Sequence, residues 1–468
     1  MSRKKPTHHK SASPRVQTKV LYPRRRRFRL PRWIGLGVAL AGVAGVSASA
    51  GALLAVSLSS TPLMQEQLSA EEAQVFSQDQ PISSGGNLRL PRLTRSVNIM
   101  VLGTKVLTTD VQEVPPELQN LGYHALVNSF DGLSDTMLLL RFNPNTQQLV
   151  ILSLPRDTRT YVRGRLTKLN EANRDGGPAL AAESVSDLLG GIAIDRYVRI
   201  NVQGVEKLVD ALGGVTVNVP KDMKYRDESQ HLYIDLKAGE QHLDGDKALQ
   251  FLRYRYDDKG DIGRVQRQQM LMRALVEQAL NPATIARLPK ILSVIQQNVD
   301  TNLSVEELLA LVGYAAQTNR SNMQMLMLPG NFSNPSQYKL SYWIPNYGEI
   351  NDLVANYFGY STQTAGGESD PAYVRIAIQD STGDSVAVQS LIETLNDMGY
   401  YNVHVEGEWN QPLNVSRIVA QNGDVASAEM IHRMIGTGEV RVEATGVLNS
   451  DVTIQLGSDW LKQQGDQL

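Results

Sequence analysis

Short apolar runs closed by turn-forming residues give the chain its first legible order. Val97-Asn98-Ile99-Met100-Val101-Leu102-Gly103 reads as a buried strand that ends at a glycine. Residues 137–142 and 149–154 form two more such runs. Asn143-Pro144-Asn145-Thr146 joins them, so the pair predicts a β-hairpin. The stretch 104–134, with Pro115-Pro116, predicts an excursion over the surface. Downstream, strands and helices alternate: a helix over 178–189, a strand over 197–202, a helix over 205–212 stopped by Gly213-Gly214, and a strand over 215–219. Three helical patterns follow at 264–280, 283–297 and 304–317, and the last opens on Ser304-Val305-Glu306-Glu307, a capping box. This order predicts an α/β fold with a central mixed sheet flanked by helices.

Around 362–371 the composition turns small and polar, which marks a linker. Beyond it lies a smaller C-terminal α/β domain of about 90 residues, a size that can fold alone. Its strands are expected at 374–378, 403–406, 440–444 and 452–456, and its helices at 385–398 and 426–435. At the other end, residues 33–60 carry no ionisable side chain. A spanning helix needs only about 20 residues, so this run predicts a single N-terminal transmembrane helix. The chain then divides into a basic tail (1–32), the span (33–60), a linker (61–94), a first domain (95–330), a connecting segment (331–372) and the C-terminal domain (373–460).

Charge sharpens this division. The net charge of −2 hides an uneven distribution: residues 1–32 hold 12 of the 46 Lys and Arg and no acid, leaving 34 basic against 48 acidic residues in the rest. Positive flanks stay cytoplasmic, so the tail is expected inside the plasma (inner) membrane and the remainder outside it. Ala48-Ser49-Ala50 offers a rival reading as a signal-peptide cleavage site, but the long basic leader and extended apolar run favour an uncleaved anchor. Topology explains the arginine run without nucleic acid, and the tail shows no helix-turn-helix pattern. The absence of cysteine removes disulfides, thiolate metal sites and a cysteine nucleophile.

The candidate chemistry is confined to the first domain. Asp135 stands in Ser134-Asp135-Thr136, and Arg156-Asp157 follow an apolar strand, where α/β proteins place ligands. The plain alternative for Arg156 and Asp157 is a strand-end salt bridge. Arg253 and Arg255 are two apart, so an extended backbone would point both to one side. Asp261, Arg264 and Gln268 occupy one stripe of a helix beside Val265, Leu271, Met272 and Leu275, so the stripe is expected to face inward. Mutual pairing is its structural alternative. Guanidinium forks grip phosphate oxygens in pairs, and carboxylates hold a divalent cation on the same phosphates. Diphosphate chemistry at a membrane surface follows from this set. The C-terminal domain has no comparable cluster; His404 and His432 stand alone.

Taken in order, SDT, SLPRD, LTKLNEA, LVDALGGV, AGEQHLDGDKALQFLRYR and GDIGRVQRQQ closely resemble the LytR-CpsA-Psr (LCP) family over about residues 97–330, and 373–460 resembles the LytR C-terminal domain. The resemblance implies an LCP-type fold. It also implies transfer of a glycopolymer from a polyprenyl diphosphate-linked glycan at the membrane onto peptidoglycan, with Mg²⁺. By motif, Asp135 resembles the magnesium-binding aspartate. Arg156, Arg253, Arg255 and Arg264 resemble diphosphate ligands, with Gln268 in the same pocket. Asp261 would orient an arginine or take the acceptor's proton. Family members commonly carry an acid soon after the first Leu-Gly and an arginine two residues before the SDT aspartate. This chain has Leu102-Gly103-Thr104-Lys105 and Leu133 there. The second metal ligand therefore stays open among Asp131, Asp110 and Asp157, and Lys105 becomes a candidate substitute cation. Lys168 and Asn170, from KLN, either support the site or brace its loop. A hydrolase and a non-enzymatic envelope scaffold or regulator are the competing functions.

Overall fold

A computed structural model describes residues 63–465 except 66, 77–80, 87–88, 106–129, 131, 228–231, 255–260, 280, 282–283, 285–286, 316, 319–321, 360–370, 410, 422 and 448–449. The basic tail and the expected membrane span lie outside the described residues. Among the described residues no helix is long and apolar enough to cross a membrane.

The chain enters through α1 (Ala70–Gln74) and a ribbon of β1 (Ser83–Gly86) and β2 (Arg89–Leu93). It then builds β3 (Val97–Lys105), β4 (Leu133–Asn143) and β5 (Gln148–Ser153), each antiparallel to the last. A hairpin of β6 (Arg159–Val162) and β7 (Arg165–Lys168) leads into α2 (Glu171–Leu188). Next come β8 (Arg196–Asn201) and α3 (Val202–Leu212), which ends at Gly213 in the left-handed region, φ 88°. β9 (Val215–Val219), β10 (Met223–Asp227), β11 (Leu232–Leu236) and β12 (Gly239–Leu243) form two ribbons, β9 with β12 and β10 with β11. The helices α4 (Gly245–Arg253), α5 (Asp261–Ala279) and α6 (Leu288–Asn298) follow, then β13 (Val299–Thr301), α7 (Val305–Ala315), β14 (Met323–Met327), β15 (Gly330–Phe332), β16 (Trp343–Pro345) and α8 (Tyr347–Phe358).

The central sheet has the order β13-β8-β3-β4-β5-β14 and is mixed, as expected: β8 runs parallel to β3, and β14 to β5. Both faces are covered, which is why its inner strands read as continuous apolar runs. Met100, Leu102, Met137, Leu139, Val150 and Leu152 pack in one core with Ala181 and Val185 of α2. Ile99, Leu138, Leu149 and Ile151 face the other core with Leu311 of α7. The predicted capping box is present: Ser304 Oγ accepts from Glu307 N at 3.2 Å, and Glu307 Oε2 accepts from Ser304 N at 3.0 Å. The expected helix at 178–189 is the second part of α2. Gly176-Gly177, with φ 64° and ψ −160° at Gly177, breaks the helix just before Pro178.

Two segments read as connections are integrated into the first core. Within 61–94, Phe76 is buried and its ring lies 5.1 Å from that of Tyr197; Ile82 is fully buried. Within 331–372, Ile350, Leu353, Val354 and Phe358 of α8 join the core that α2 covers. In the first segment the apolar anchors are few; in the second they follow the i, i+3, i+4, i+8 spacing of an amphipathic helix.

Past residue 370 comes a second sheet, built from β17 (Ile376–Asp380), α9 (Ser385–Asp397), β18 (Val403–Glu408), β19 (Arg417–Ala420), α10 (Val425–Ile435), β20 (Glu439–Val442), β21 (Val452–Leu456) and α11 (Ser458–Gly465). Its order is β18-β17-β21-β19-β20. The two sheets meet edge to edge, where β14 and the end of β20 share a bridge, Met325 with Glu443, and Ala444 N donates to Met325 O at 2.7 Å. Each sheet thereby covers an edge of the other. Arg273 of α5 locks the seam, with Nη1 2.6 Å from Glu443 Oε2, both side chains largely buried. Arg273→Ala is expected to cost about 1–3 kcal/mol, read as a lower denaturation midpoint of the whole chain; an unchanged midpoint would show that the seam does not depend on this pair.

Candidate active site

Asp135 owes its position to a slip in the sheet. Gly103 pairs with Thr136, but the next pair is Thr104 with Ser134, so Asp135 is an extra residue bulging from β4. A bulge turns a side chain away from the pleat and breaks the alternation of faces. Glycine suits position 103, because a Cβ there would meet Thr136 Cβ at 3.0 Å.

Arg156 reaches this bulge from the turn after β5. Thr158 closes that turn, with N donating to Pro155 O at 3.0 Å and Oγ1 at 2.6 Å. The Asn170 backbone ties the turn to the bulge: its N donates to Arg156 O at 3.1 Å, and its O accepts from Ser134 N at 3.2 Å. In this frame Arg156 Nη1 lies 2.6 Å from Asp135 Oδ1, and its Nε lies 3.3 Å from Asp157 Oδ2. Lys168 Nζ, at the end of β7, donates to Asp157 Oδ1 at 2.7 Å and sits 5.6 Å from the centre of the Tyr342 ring. The result is a file of alternating charge, Asp135–Arg156–Asp157–Lys168, with side chains 17–28% exposed. A guanidinium held by two carboxylates is pre-oriented, and its partial exposure leaves it open to a ligand.

Helix α5 closes the site from above. Gln268 Nε2 donates to the main-chain oxygen of Asp135 at 3.2 Å, so the predicted stripe faces the bulge at this residue. Three further polar atoms belong to residues of this frame. Thr104 Oγ1, Ser134 Oγ and Asn170 Oδ1 are buried and make no hydrogen bond among the described residues. Buried polar atoms in that state mark places where water or a ligand completes the bonding.

The structure does not assemble every residue picked from the sequence. Arg253 is the last residue of α4, and Tyr254 caps it in extended backbone, so Arg253 itself is carried on a helix. Asp244 caps this helix at its start, and Arg253 in its last turn suits the helix dipole. Arg255, Asp131 and Asp110 lie outside the described residues. Asp261 and Arg264 stand in the first turns of α5, and Lys105 ends β3 opposite Leu133, but their side chains are outside what the structure describes. Asp157 is a poor second metal ligand, because both its oxygens are engaged by cations. Among the described residues no three His, Asp or Glu converge on a metal site. Mg²⁺ keeps several waters and needs only one or two carboxylates, so Asp135 alone on its bulge suits it. Sequence reasoning missed the contact of Arg159 with the Tyr338–Tyr342 aromatic pair, its guanidinium 5.3 and 5.9 Å from the two ring centres. Those aromatic residues sit in an irregular loop with no periodicity to reveal them.

The LytR_cpsA_psr family model matches residues 60–358, from the entering segment to the last residue of α8. The chain belongs to the LytR-CpsA-Psr family. A second model, the LytR cell envelope-related transcriptional attenuator, matches residues 373–460, the smaller sheet and its helices. Among curated relatives, the polyisoprenyl-teichoic acid–peptidoglycan teichoic acid transferase TagV of Bacillus subtilis (strain 168) is 31% identical over 247 residues, 50% of this chain and 62% of that protein. TagU of Oceanobacillus iheyensis, with the same transferase name, is 34% identical over 238 residues, 49% of this chain and 71% of that protein. The chain thus spans less than two thirds of the first relative's length and somewhat more of the second's. The crystal structure of B. subtilis TagV is 26% identical and covers 57% of this chain and 98% of its own, with a TM-score of 0.46. For an LCP-family chain, the central sheet and its bulge carry the family match, and the second sheet lies beyond it.

Proposed function

We propose that this LCP-family chain is a phosphotransferase that moves a glycopolymer from a polyprenyl diphosphate carrier onto peptidoglycan. The observation that carries the reading is Arg156, held between Asp135 and Asp157 beside a bulge rich in unsatisfied polar atoms. Breaking a diphosphate asks chiefly for charge neutralisation and alignment, which positioned cations supply without a covalent intermediate. An acceptor sugar hydroxyl attacks the glycan-bearing phosphorus. The bond from that phosphorus to the bridging oxygen breaks, polyprenyl phosphate leaves with the oxygen, and the hydroxyl proton is released. Arg156 would hold the diphosphate oxygens, Lys168 would fix Asp157 and so the plane of the guanidinium, and Gln268 would keep α5 over the bulge. Arg253, Arg255, Arg264 and Asp261 join the site on the strength of the family motif. Mg²⁺ at Asp135, with Asp131 as second ligand, would neutralise charge on the diphosphate. The span at 33–60 would anchor the chain, with the tail cytoplasmic and the described body outside, near lipid-linked substrate. The names of the relatives support the transferase class.

The test combines the full chain, Mg²⁺, a polyprenyl diphosphate oligosaccharide and peptidoglycan fragments, followed by mass spectrometry. A glycan–phosphate–peptidoglycan adduct is expected. Free glycan phosphate in the presence of acceptor would favour the hydrolase, and intact donor would favour the scaffold.

A further inference from the structure

A cleft of about 320 Å³ opens beside the candidate active site, between α5 and the β17–β18 side of the smaller sheet. Its volume falls at the low end of the roughly 300–1,000 Å³ typical of small-ligand pockets, which often form where domains meet. One wall is a single helical stripe of α5: Gly263, Gln266, Arg267 and Met270, spaced i, i+3, i+4 and i+7. Gln268, which reaches the Asp135 bulge, projects from a different side of the same helix. Helix α5 therefore serves the bulge and the cleft at once.

The opposite wall is built by another irregularity of the backbone. Ile378 pairs with Val405, but Asp380 pairs with Glu408, so β18 bulges around Gly407, whose φ of 70° favours glycine. The chain then turns Trp409 into the cleft, fixed by its N donating to Asp380 O at 2.6 Å. Trp409 Nε1 is buried and makes no hydrogen bond among the described residues; Asn218 Oδ1, across the cleft, is in the same state. A buried indole N–H normally finds a partner, and a buried amide oxygen left unbonded costs about 1–3 kcal/mol. The cleft is thus bordered by a donor and an acceptor that lack an internal partner, beside an aromatic ring.

We propose that this cleft is a saccharide-binding subsite that holds an uncharged sugar segment of the glycan processed at the Asp135–Arg156 face. A sugar ring offers an apolar face of C–H bonds to an indole and a rim of hydroxyls that both donate and accept. Those hydroxyls match the Trp409 N–H, the Asn218 oxygen and the carboxylates of Glu406 and Glu408. A phosphate is disfavoured because these two acids oppose Lys221 and Arg267. A hydrocarbon tail is disfavoured because it would leave the Trp409 N–H and the Asn218 oxygen unbonded. The proposal rests on the glycan-transfer reading for its link to the active site, and assigns to the C-terminal unit a recognition role.

Calorimetric titration of the full chain tests it with two probes. A β-1,4-linked N-acetylglucosamine tetrasaccharide represents the acceptor, and N-acetylglucosamine 1-phosphate represents the donor. Trp409→Ala is expected to weaken tetrasaccharide binding by roughly tenfold, as the loss of an aromatic contact and a hydrogen bond predicts. Glu408→Gln, at an exposed position that does not endanger folding, is expected to weaken it severalfold. Arg156→Ala is expected to leave tetrasaccharide binding unchanged, so binding stands or falls independently of the transferase reading. Weakening of the sugar phosphate alone by Trp409→Ala would place the donor's glycan in the cleft and equally support a saccharide subsite. If neither probe binds below about 10 mM, or if both variants bind like the wild type, the proposal is overturned.

Discussion

Replacing Arg156 by alanine is expected to lower turnover by about 10³-fold, the scale on which a positioned donor or arginine stabilises charge in acyl and phosphoryl transfer. Nothing else in the described frame replaces it. Lys168 is the nearest other cation in the file, but Asp157 and the Tyr342 ring hold it. Arg156→Lys keeps the charge but loses the planar fork, so it is expected to restore only a minor part of the rate. The fold is expected to survive both changes. Arg156 is 26% exposed, and the turn that carries it is tied down through main-chain atoms of Pro155, Arg156 and Asn170. Steady-state kinetics beside a thermal melt separate the two effects. An alanine variant that keeps more than about a tenth of wild-type turnover would contradict the role given to Arg156.

The second large effect is on stability. Arg199 and Asp300 form an ion pair at 2.6 Å with side chains 1% and 0% exposed, on adjacent strands at the edge of the central sheet. Asp300 Oδ1 also accepts from Gln65 N at 2.8 Å, so the pair binds the entering segment to the sheet. The Arg199 guanidinium lies 5.5 Å from the centre of the Phe130 ring. Asp300→Ala strands a buried positive charge and is expected to cost about 3–5 kcal/mol. In a domain of this size that lowers the melting temperature by roughly 6–20 °C. Replacing both partners removes the stranded charge, so Arg199→Leu with Asp300→Leu is expected to recover much of the loss. If the double variant melts no higher than Asp300→Ala, the lost hydrogen bond to Gln65 outweighs the charge.

These two sites differ in how far they could be read beforehand. The strands of the central sheet announced themselves because both faces are buried, and the turn at 143–146, the left-handed cap at Gly213 and the Ser304 capping box are local features with local signatures. Asp135 and Arg156 could be chosen by residue type and by family motif. Their meeting could not, because it depends on a one-residue slip between β3 and β4. The one-sided placement of Arg253 and Arg255 presupposed extended backbone; the Asp244 cap and the apolar spacing of Ala248 and Phe251 instead make Arg253 the end of a helix. The entering segment looked like a linker, since its apolar anchors, Val75-Phe76 and Ile82, are few and widely separated by polar residues. Docking of the smaller sheet was likewise invisible, because strand edges pair through backbone groups that every residue shares. Leu133 pairs with Lys105 across the β3–β4 ladder, a neighbourhood that only the register reveals.

The most direct test follows oxygen. Run in H₂¹⁸O with polyprenyl diphosphate oligosaccharide, peptidoglycan fragments and Mg²⁺, the reaction is expected to yield a glycan–phosphate–peptidoglycan adduct without ¹⁸O. Its new phosphorus–oxygen bond comes from the acceptor's hydroxyl. One ¹⁸O in a released glycan phosphate, with no adduct formed, would show water as the acceptor and contradict the transferase.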